Sequence, residues 1–368
     1  MSSRTERIST IFSQTIGLIS IEKLKVRRTF YNVNQALFCK EQVGDFTIVY
    51  DCGGNSKKVV NAAIHRSFKA NDTIDIVFLS HYDRDHVNGI FELLNFCNVS
   101  HLILPMVSNL RRFLSFEGMQ EDSSDVELFC EDAEEYMNLH NLRTKVHYVT
   151  ETEDDDEKRT INYENLPREI PSGAKIRKND IDWTYVVYNR RLMNKDEEKR
   201  FLEALGLSSI ATFASIKDAW KKVNLAIKKA LEKIDIIKIE DINDYSMTIY
   251  SGCSRNKCGC LYLGDYNALA YFEELFEAYK EVWPTIDIIQ IPHHGSSNNT
   301  DDKLIVKECY HVISNNENIN PNKNGNVDFS KVESIIVNNG GIAVTTYDGD
   351  KTIQLVKDGG TLRNIIIG

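Results

Sequence analysis

The 368-residue chain predicts an α/β layered protein, and three observations carry that expectation. Short β-prone runs alternate with helical patterns up to about residue 107, and strands return from Tyr245 to the C-terminus. Between them, IDIVFLS (Ile74 to Ser80) is nearly continuous in apolar residues, as a strand buried on both faces of a layered sheet would be.

The elements follow in order. TFYNVNQALFC and DFTIVYDC are two apolar runs separated by the polar segment Lys40 to Gly44, the pattern of antiparallel strands joined by a turn. SKKVVNAAIHRSF and GIFELLNFC have helical spacing, and HLILPMV reads as a strand. From about Leu110 to Ile234 the patterns turn helical, as in VELFCEDAEEYMNLHNL and WKKVNLAIKKALEKI, around the acidic run Glu151 to Glu157, which reads as a solvated loop. SMTIYSG, LYLGDY, IDIIQI, GIAVTTY and TIQLVK then read as strands, with the helix AYFEELFEAYKEV ended by Pro284. No linker divides the chain, so residues 1–368 are expected to form one domain with a largely helical insertion at about 110–240.

Composition narrows the function. With 42% hydrophobic and 27% charged residues the chain suits a soluble globular protein, and no apolar run is long enough for a membrane span. The N-terminal segment lacks the build of a signal peptide, and eight scattered cysteines suit a reducing compartment, so a cytoplasmic location is expected. The net charge of -10 gives no support to a protein that coats nucleic acid, and does not exclude an enzyme that holds phosphates through metal ions.

The chemistry concentrates at strand ends. Directly after IDIVFLS comes His81-Tyr82-Asp83-Arg84-Asp85-His86, followed by Val87-Asn88-Gly89. Four potential ligands within six residues, in a mixture that zinc or manganese accepts, point to a metal-binding loop. Asp51 ends FTIVYD before Gly53-Gly54, and Asp265 follows LYLG as a second strand-end carboxylate, for which the N-cap of the following helix is the alternative reading. His293 and His294 follow IDIIQI and Pro292. Cys253, Cys258 and Cys260 lack a fourth zinc ligand nearby and read as free thiols in a hairpin turn. Trp183, Trp220 and Trp283 read as packing residues, and Lys221, Lys222, Lys228 and Lys229 as a helix surface that would suit a polyanion.

The strings VYDCGG (Val49 to Gly54), LSHYDRDHVNG (Leu79 to Gly89), NDYSMTI (Asn243 to Ile249), LYLGDY (Leu261 to Tyr266) and IPHHGSS (Ile291 to Ser297) resemble, in order, those of the metallo-β-lactamase superfamily. Asp83, where most members carry a histidine, and Pro-His-His-Gly-Ser are most similar to the ComEC-like competence-protein hydrolase branch. The resemblance implies an αβ/βα sandwich of two mixed sheets with metals at one edge. It further implies that His81 and Asp83 bind one ion, Asp85 and His86 a second, that Asp265 bridges, and that His294 or His293 completes the second site. Asp51 would support the ligand loop from behind. Two departures stand out: no histidine lies near Asn243 to Ser246, and Asn320-Pro321 stands where ComEC-like proteins usually carry His-Pro.

The expected function is a hydrolase using two divalent ions (Zn or Mn) to activate water against phosphodiester bonds, hence a nuclease or nucleotide phosphodiesterase. Asp85 or Asp265 would orient the water, and nucleic acid or a nucleotide would be the partner at the site. The rivals are a lactone or thioester hydrolase on the same centre, and an effector whose helical insertion binds a partner protein.

Overall fold

The computed structural model describes residues 25–119, 123–152, 159–178, 181–190, 195–223, 246–254, 256–315, 329–358 and 361–367. Its strands are β1 (Val26–Phe30), β2 (Phe38–Val43), β3 (Phe46–Cys52), β4 (Thr73–Phe78), β5 (Asn98–Pro105), β6 (Lys145–Val149), β7 (Thr160–Asn162), β8 (Glu169–Ile170) and β9 (Lys175–Arg177). They continue with β10 (Thr184–Tyr188), β11 (Thr248–Gly252), β12 (Gly259–Tyr262), β13 (Ile286–Gln290), β14 (Tyr310–Ile313), β15 (Ile342–Thr345), β16 (Lys351–Asp358) and β17 (Thr361–Ile366). One sheet runs β17-β16-β1-β2-β3-β4-β5-β6-β8, the other β15-β14-β13-β12-β11-β10-β9-β7. Each is mixed: β3 through β6 and β8 are parallel neighbours, as are β12 through β15, while the remaining pairs are antiparallel except β7 with β9.

Period-two alternation sorts the apolar side chains into three cores. Ile48, Tyr50, Ile76 and Phe78 meet Ile249, Tyr262, Ile288 and Val312 between the sheets. Val49, Val77 and Leu79 face outward onto Ile64, Ile90 and Leu93 of the helices Lys57–Ser67 and Ile90–Phe96. On the other side Tyr250, Leu261 and Leu263 pack on Leu275 and Tyr279 of the helix Ala268–Tyr279 and on Ile336 of Phe329–Asn338. The layers are therefore helix, sheet, sheet, helix, as expected for the αβ/βα sandwich.

A polar cluster crosses the central core. Arg28 Nε of β1 donates to Glu41 Oε2 of β2 at 2.6 Å, and both are buried. Tyr185, Ser251 and Tyr262 of the second sheet donate their hydroxyls to the same carboxylate at 3.2, 2.5 and 3.2 Å, and Trp183 Nε1 donates to Ser251 Oγ at 2.9 Å.

Three local expectations are corrected. The polar segment Lys40 to Gly44 is mostly strand β2, because Glu41 finds Arg28 indoors; the turn falls at Gly44 and Asp45, and β1 precedes it as a third strand. The stretch 110–240 holds the expected helices Ser124–Glu131 and Ala133–Leu139, but also β6 to β10, which extend both sheets. Its helices Lys195–Ala204 and Phe213–Lys222 place Phe201, Phe213 and Trp220 on the outer core of the first sheet, with Phe113 edge-on to both Phe213 and Trp220. The helix of AYFEELFEAYKEV stops at Tyr279, before the 3₁₀ turn Trp283–Thr285 that contains Pro284. Glu153 to Glu157, Lys228, Lys229, Asn243 and Asn320-Pro321 lie outside the described residues, whereas Glu151 pairs with Arg111 at 3.0 Å.

Buried His311 of β14 gives a test of this packing. Its Nε2 accepts from Val306 N–H at 3.2 Å while Nδ1–H donates to the Cys309 carbonyl at 3.0 Å, so a second proton would cost the Val306 bond. Burial lowers its pKa to about 4. Below about 6.5 the unfolded chain takes up a proton that the folded chain refuses, so this contribution is present at neutral pH and is lost as pH falls from about 6.5 toward 4. His311→Gln is expected to flatten the dependence of unfolding free energy on pH across that window, measured by urea denaturation. A slope equal to that of the wild type would count against this reading.

Candidate metal centre

Every side chain of the predicted cluster leaves the carboxyl end of a parallel strand, where the two sheets meet. Asp51 comes from β3, His81 to His86 follow β4, Asp265 follows β12, and His293 and His294 follow β13. The short helix Arg84–Val87 carries Asp85 and His86 to the site, and Asn88 locks it to the segment after β3 by accepting from Gly54 N–H at 2.9 Å and donating to the Gly54 carbonyl at 2.5 Å. Gly53 makes this approach possible, since a Cβ there would lie 1.7 Å from the Asp85 carbonyl oxygen.

Asp51, with φ of 54° and no exposed surface, organises the donors from behind. Its Oδ1 accepts from Ser80 N–H at 2.6 Å, and its Oδ2 accepts from Ser80 Oγ–H and from His86 Nδ1–H, both at 2.7 Å. With its hydrogen committed to Asp51, Ser80 Oγ accepts from His81 Nδ1–H at 2.8 Å. Both imidazoles are thereby held by Nδ1 and present Nε2 forward, the orientation a metal requires.

The forward atoms meet around Asp265. Asp85, His86, Asp265 and His294 place one ligand atom each within 4.8 Å of one another. His86 Nε2 lies 3.1 Å and His294 Nε2 3.8 Å from Asp265 Oδ1, and His294 Nε2 lies 3.0 Å from Asp85 Oδ2. On the other oxygen, Oδ2, His81 Nε2 is 3.9 Å away and His293 Nε2 3.8 Å; Asp83 Oδ2 is 4.0 Å from His81 Nε2. His81 Nε2, His86 Nε2 and Asp265 Oδ1 are buried without a hydrogen-bond partner. Orphaned nitrogen and carboxylate donors facing one space are what a divalent ion satisfies, so Asp85, His86, Asp265 and His294 form a cluster able to bind metal.

The electrostatics agree. Burial and the neighbouring His86 lower His81 to about 3, leaving it neutral and ready to coordinate. Burial opposes charge on His86, yet Asp265, Asp51 and Asp85 outweigh it and raise its pKa well above the ordinary value. Burial likewise opposes ionisation of Asp85 and Asp265, and His86 with His294 overcomes it, Asp85 falling to about 2 and Asp265 well below the usual range. Burial, then Asp85, pushes Asp83 up to about 7. Four carboxylates thus crowd a site together with the histidines that offset their charge, the setting into which a cation fits.

Asp85, His86, Asp265 and His294 form the mutually close group, His81 and His293 lie 3.9 and 3.8 Å from the other oxygen of Asp265, Asp83 lies 4.0 Å from His81, and Asp51 stands behind His86. Asp265 is not the N-cap of the following helix; Asn267 is, accepting from Ala270 N–H at 3.0 Å. Four supporting residues were not singled out in the sequence. Ser80 stands within the quoted string Leu79 to Gly89, and Ser246, whose Oγ accepts from Asp265 N–H at 2.8 Å, within Asn243 to Ile249. Gln290 Oε1 accepts from Leu263 and Gly264 N–H at 2.7 and 2.8 Å, and Asn315 Nδ2 donates to the His294 carbonyl at 3.0 Å. Only their strand-end positions hinted at this. Cys253, Cys258 and Cys260 are buried thiols outside any disulfide, with the first two sulfurs 2.7 Å apart, and join no metal-binding group among the described residues.

Asp51→Asn tests the supporting role. An amide NH₂ in place of Oδ2 would donate to His86 Nδ1 and drive the ring proton to Nε2, blocking coordination. Affinity for Zn or Mn, by titration calorimetry, is expected to fall about 10–100-fold while circular dichroism stays unchanged; full affinity would remove Asp51 from this role.

Residues 28–111 match the family model described as the metallo-beta-lactamase superfamily. No curated protein matches the chain by sequence. Among solved structures, the metallo-beta-lactamase fold protein YhfI from Bacillus subtilis is similar at 9% identity over 90% of this chain and 100% of that one, with a TM-score of 0.42. Human tRNase Z, short form, is similar at 13% identity over 76% and 80% (TM-score 0.32), and a diphosphatase from the PhnP family at 10% over 90% and 99% (TM-score 0.38). The matched segment contains Asp51 and the whole loop from His81 to His86. Together with two facing mixed sheets and helices outside them, it identifies the architecture as a metallo-β-lactamase fold.

Proposed function

We propose that the protein is a metal-dependent hydrolase that cleaves phosphodiester bonds in nucleic acid or a nucleotide, using two divalent ions, zinc or manganese. The observation that carries this reading is the division of donors over the two oxygens of Asp265, with His86 and His294 near Oδ1 and His81 near Oδ2. His81 and Asp83 would hold one ion, Asp85, His86 and His294 the other, and Asp265 both. Paired ions supply acidified water and neutralise charge on the attacked and leaving oxygens of a phosphodiester.

The chain's own groups divide the remaining work. The Asp265 side chain is 2% exposed and Asp85 35%, so Asp265 anchors while Asp85 faces solvent, where it orients water and accepts its proton. The string from Pro292 to Ser297, with its ComEC-like resemblance, favours a phosphodiester over a carbonyl substrate. Lys221 and Lys222, in the last turn of the helix Phe213–Lys222, offer positive charge to a polyanion.

The test is cleavage of single-stranded DNA, double-stranded DNA, RNA and bis(p-nitrophenyl) phosphate with Mn or Zn added. Chelation is expected to abolish turnover, and Asp265→Asn or His294→Ala to lower it by about 100-fold or more with the fold intact by circular dichroism. Opening of lactones or thioesters with no cleavage of any phosphodiester would overturn the substrate assignment.

A further inference from the structure

The neighbouring histidines differ in surroundings. His294 is buried against Asp85 and the Oδ1 side of Asp265, whereas the His293 side chain is 28% exposed and turns to the Oδ2 side. In extended backbone, adjacent side chains point to opposite faces. Here both residues are left-handed, with φ of 48° and 54°, a conformation that non-glycine residues rarely adopt twice in succession. His293 N–H donates to the Gly264 carbonyl at 2.9 Å, and Asn315 holds the His294 carbonyl at 3.0 Å, so the turn is pinned at both ends. Its outcome is two rings inclined at 77° that reach the same carboxylate from two sides.

We infer that His293 is a ligand of the first ion, beside His81, Asp83 and Asp265 Oδ2, so that each of the paired histidines serves a different metal. The inference rests on the two-ion reading above. Ser246, in the segment where a further histidine ligand would be expected, is no donor: its Oγ is engaged by Asp265 N–H at 2.8 Å and lies 3.1 Å from His81 Nδ1. Without His293 the first ion would have three protein ligands; with it there are four. The spacing suits the role. The separations of His293 Nε2 and His81 Nε2 from Asp265 Oδ2, 3.8 and 3.9 Å, and of Asp83 Oδ2 from His81 Nε2, 4.0 Å, exceed a hydrogen bond. They lie slightly above the roughly 3.4 Å between two donors that share a tetrahedral ion at bonds of about 2.1 Å.

Metal stoichiometry tests this without substrate. The full chain is stripped with chelator, titrated with Mn, and read by calorimetry and by electron paramagnetic resonance, in which two neighbouring Mn ions give an exchange-coupled spectrum. Wild type is expected to bind two ions with a coupled signal. His293→Ala is expected to bind one and lose the coupling, and His81→Ala/His293→Ala to keep that one ion. His293→Ala/His294→Ala is expected to lose the pair. Should His293→Ala fold poorly, His293→Gln, judged by circular dichroism, takes its place. Two coupled ions in a folded His293 variant, at wild-type affinity, overturn the inference and leave the two-ion hydrolase standing. A folded wild type that binds one ion or none overturns the two-ion reading itself.

Discussion

The side chains of the His/Asp cluster come from the ends of two different sheets, so the cluster exists only while those sheets keep a fixed offset. The contact that sets it is the buried Arg28–Glu41 pair, met from the second sheet by Tyr185, Ser251 and Tyr262. A purely apolar interface between sheets tolerates sliding by small steps, because dispersion contacts are non-directional. A buried carboxylate does not, since displacement of an ångström or two leaves charge and hydroxyls unpaired in a medium that cannot solvate them. Buried ion pairs add little net stability, and the role of this one is alignment. Nearer the site the lock is repeated: Tyr50 Oη donates to the Met247 carbonyl at 2.9 Å, and Met247 N–H donates to the Ser80 carbonyl at 2.8 Å.

Much of the candidate site was legible because its donors are contiguous or sit at strand ends. His81 to His86 declare themselves by density, and Asp265 and His293-His294 by following apolar strands. What could not be read is what points those donors. Whether a histidine presents Nδ1 or Nε2 depends on Asp51 and Ser80, brought to it by parallel pairing of β3 with β4, and the proximity of their side chains carries no local pattern. The fold shows the same division. Long apolar runs announced the central strands, whereas β7, β8 and β9, two or three residues each, are too short for any period and were folded into a helical expectation. Strand β2 was hidden because Glu41 and Lys40 look like a turn until Arg28 is placed opposite.

The division between the two sheets also separates shape from chemistry. The first sheet supplies a preformed pair of imidazoles and their backing, fixed by four hydrogen bonds to buried Asp51 and Ser80. The second supplies the shared carboxylate and the paired histidines, fixed by Gln290, Ser246 and Asn315. Neither half can gather the charges alone, and the helices packed outside both sheets leave the meeting edge to the loops that carry the ligands.

The contact at Gly53 has a consequence for how such a chain can drift. A methyl group there would overlap the Asp85 carbonyl and the His86 Cα, so every replacement displaces the segment from which Asp85 and His86 project. Gly53 contributes no side chain to the cluster, yet a substitution there would disturb Asp85 and His86 through their backbone.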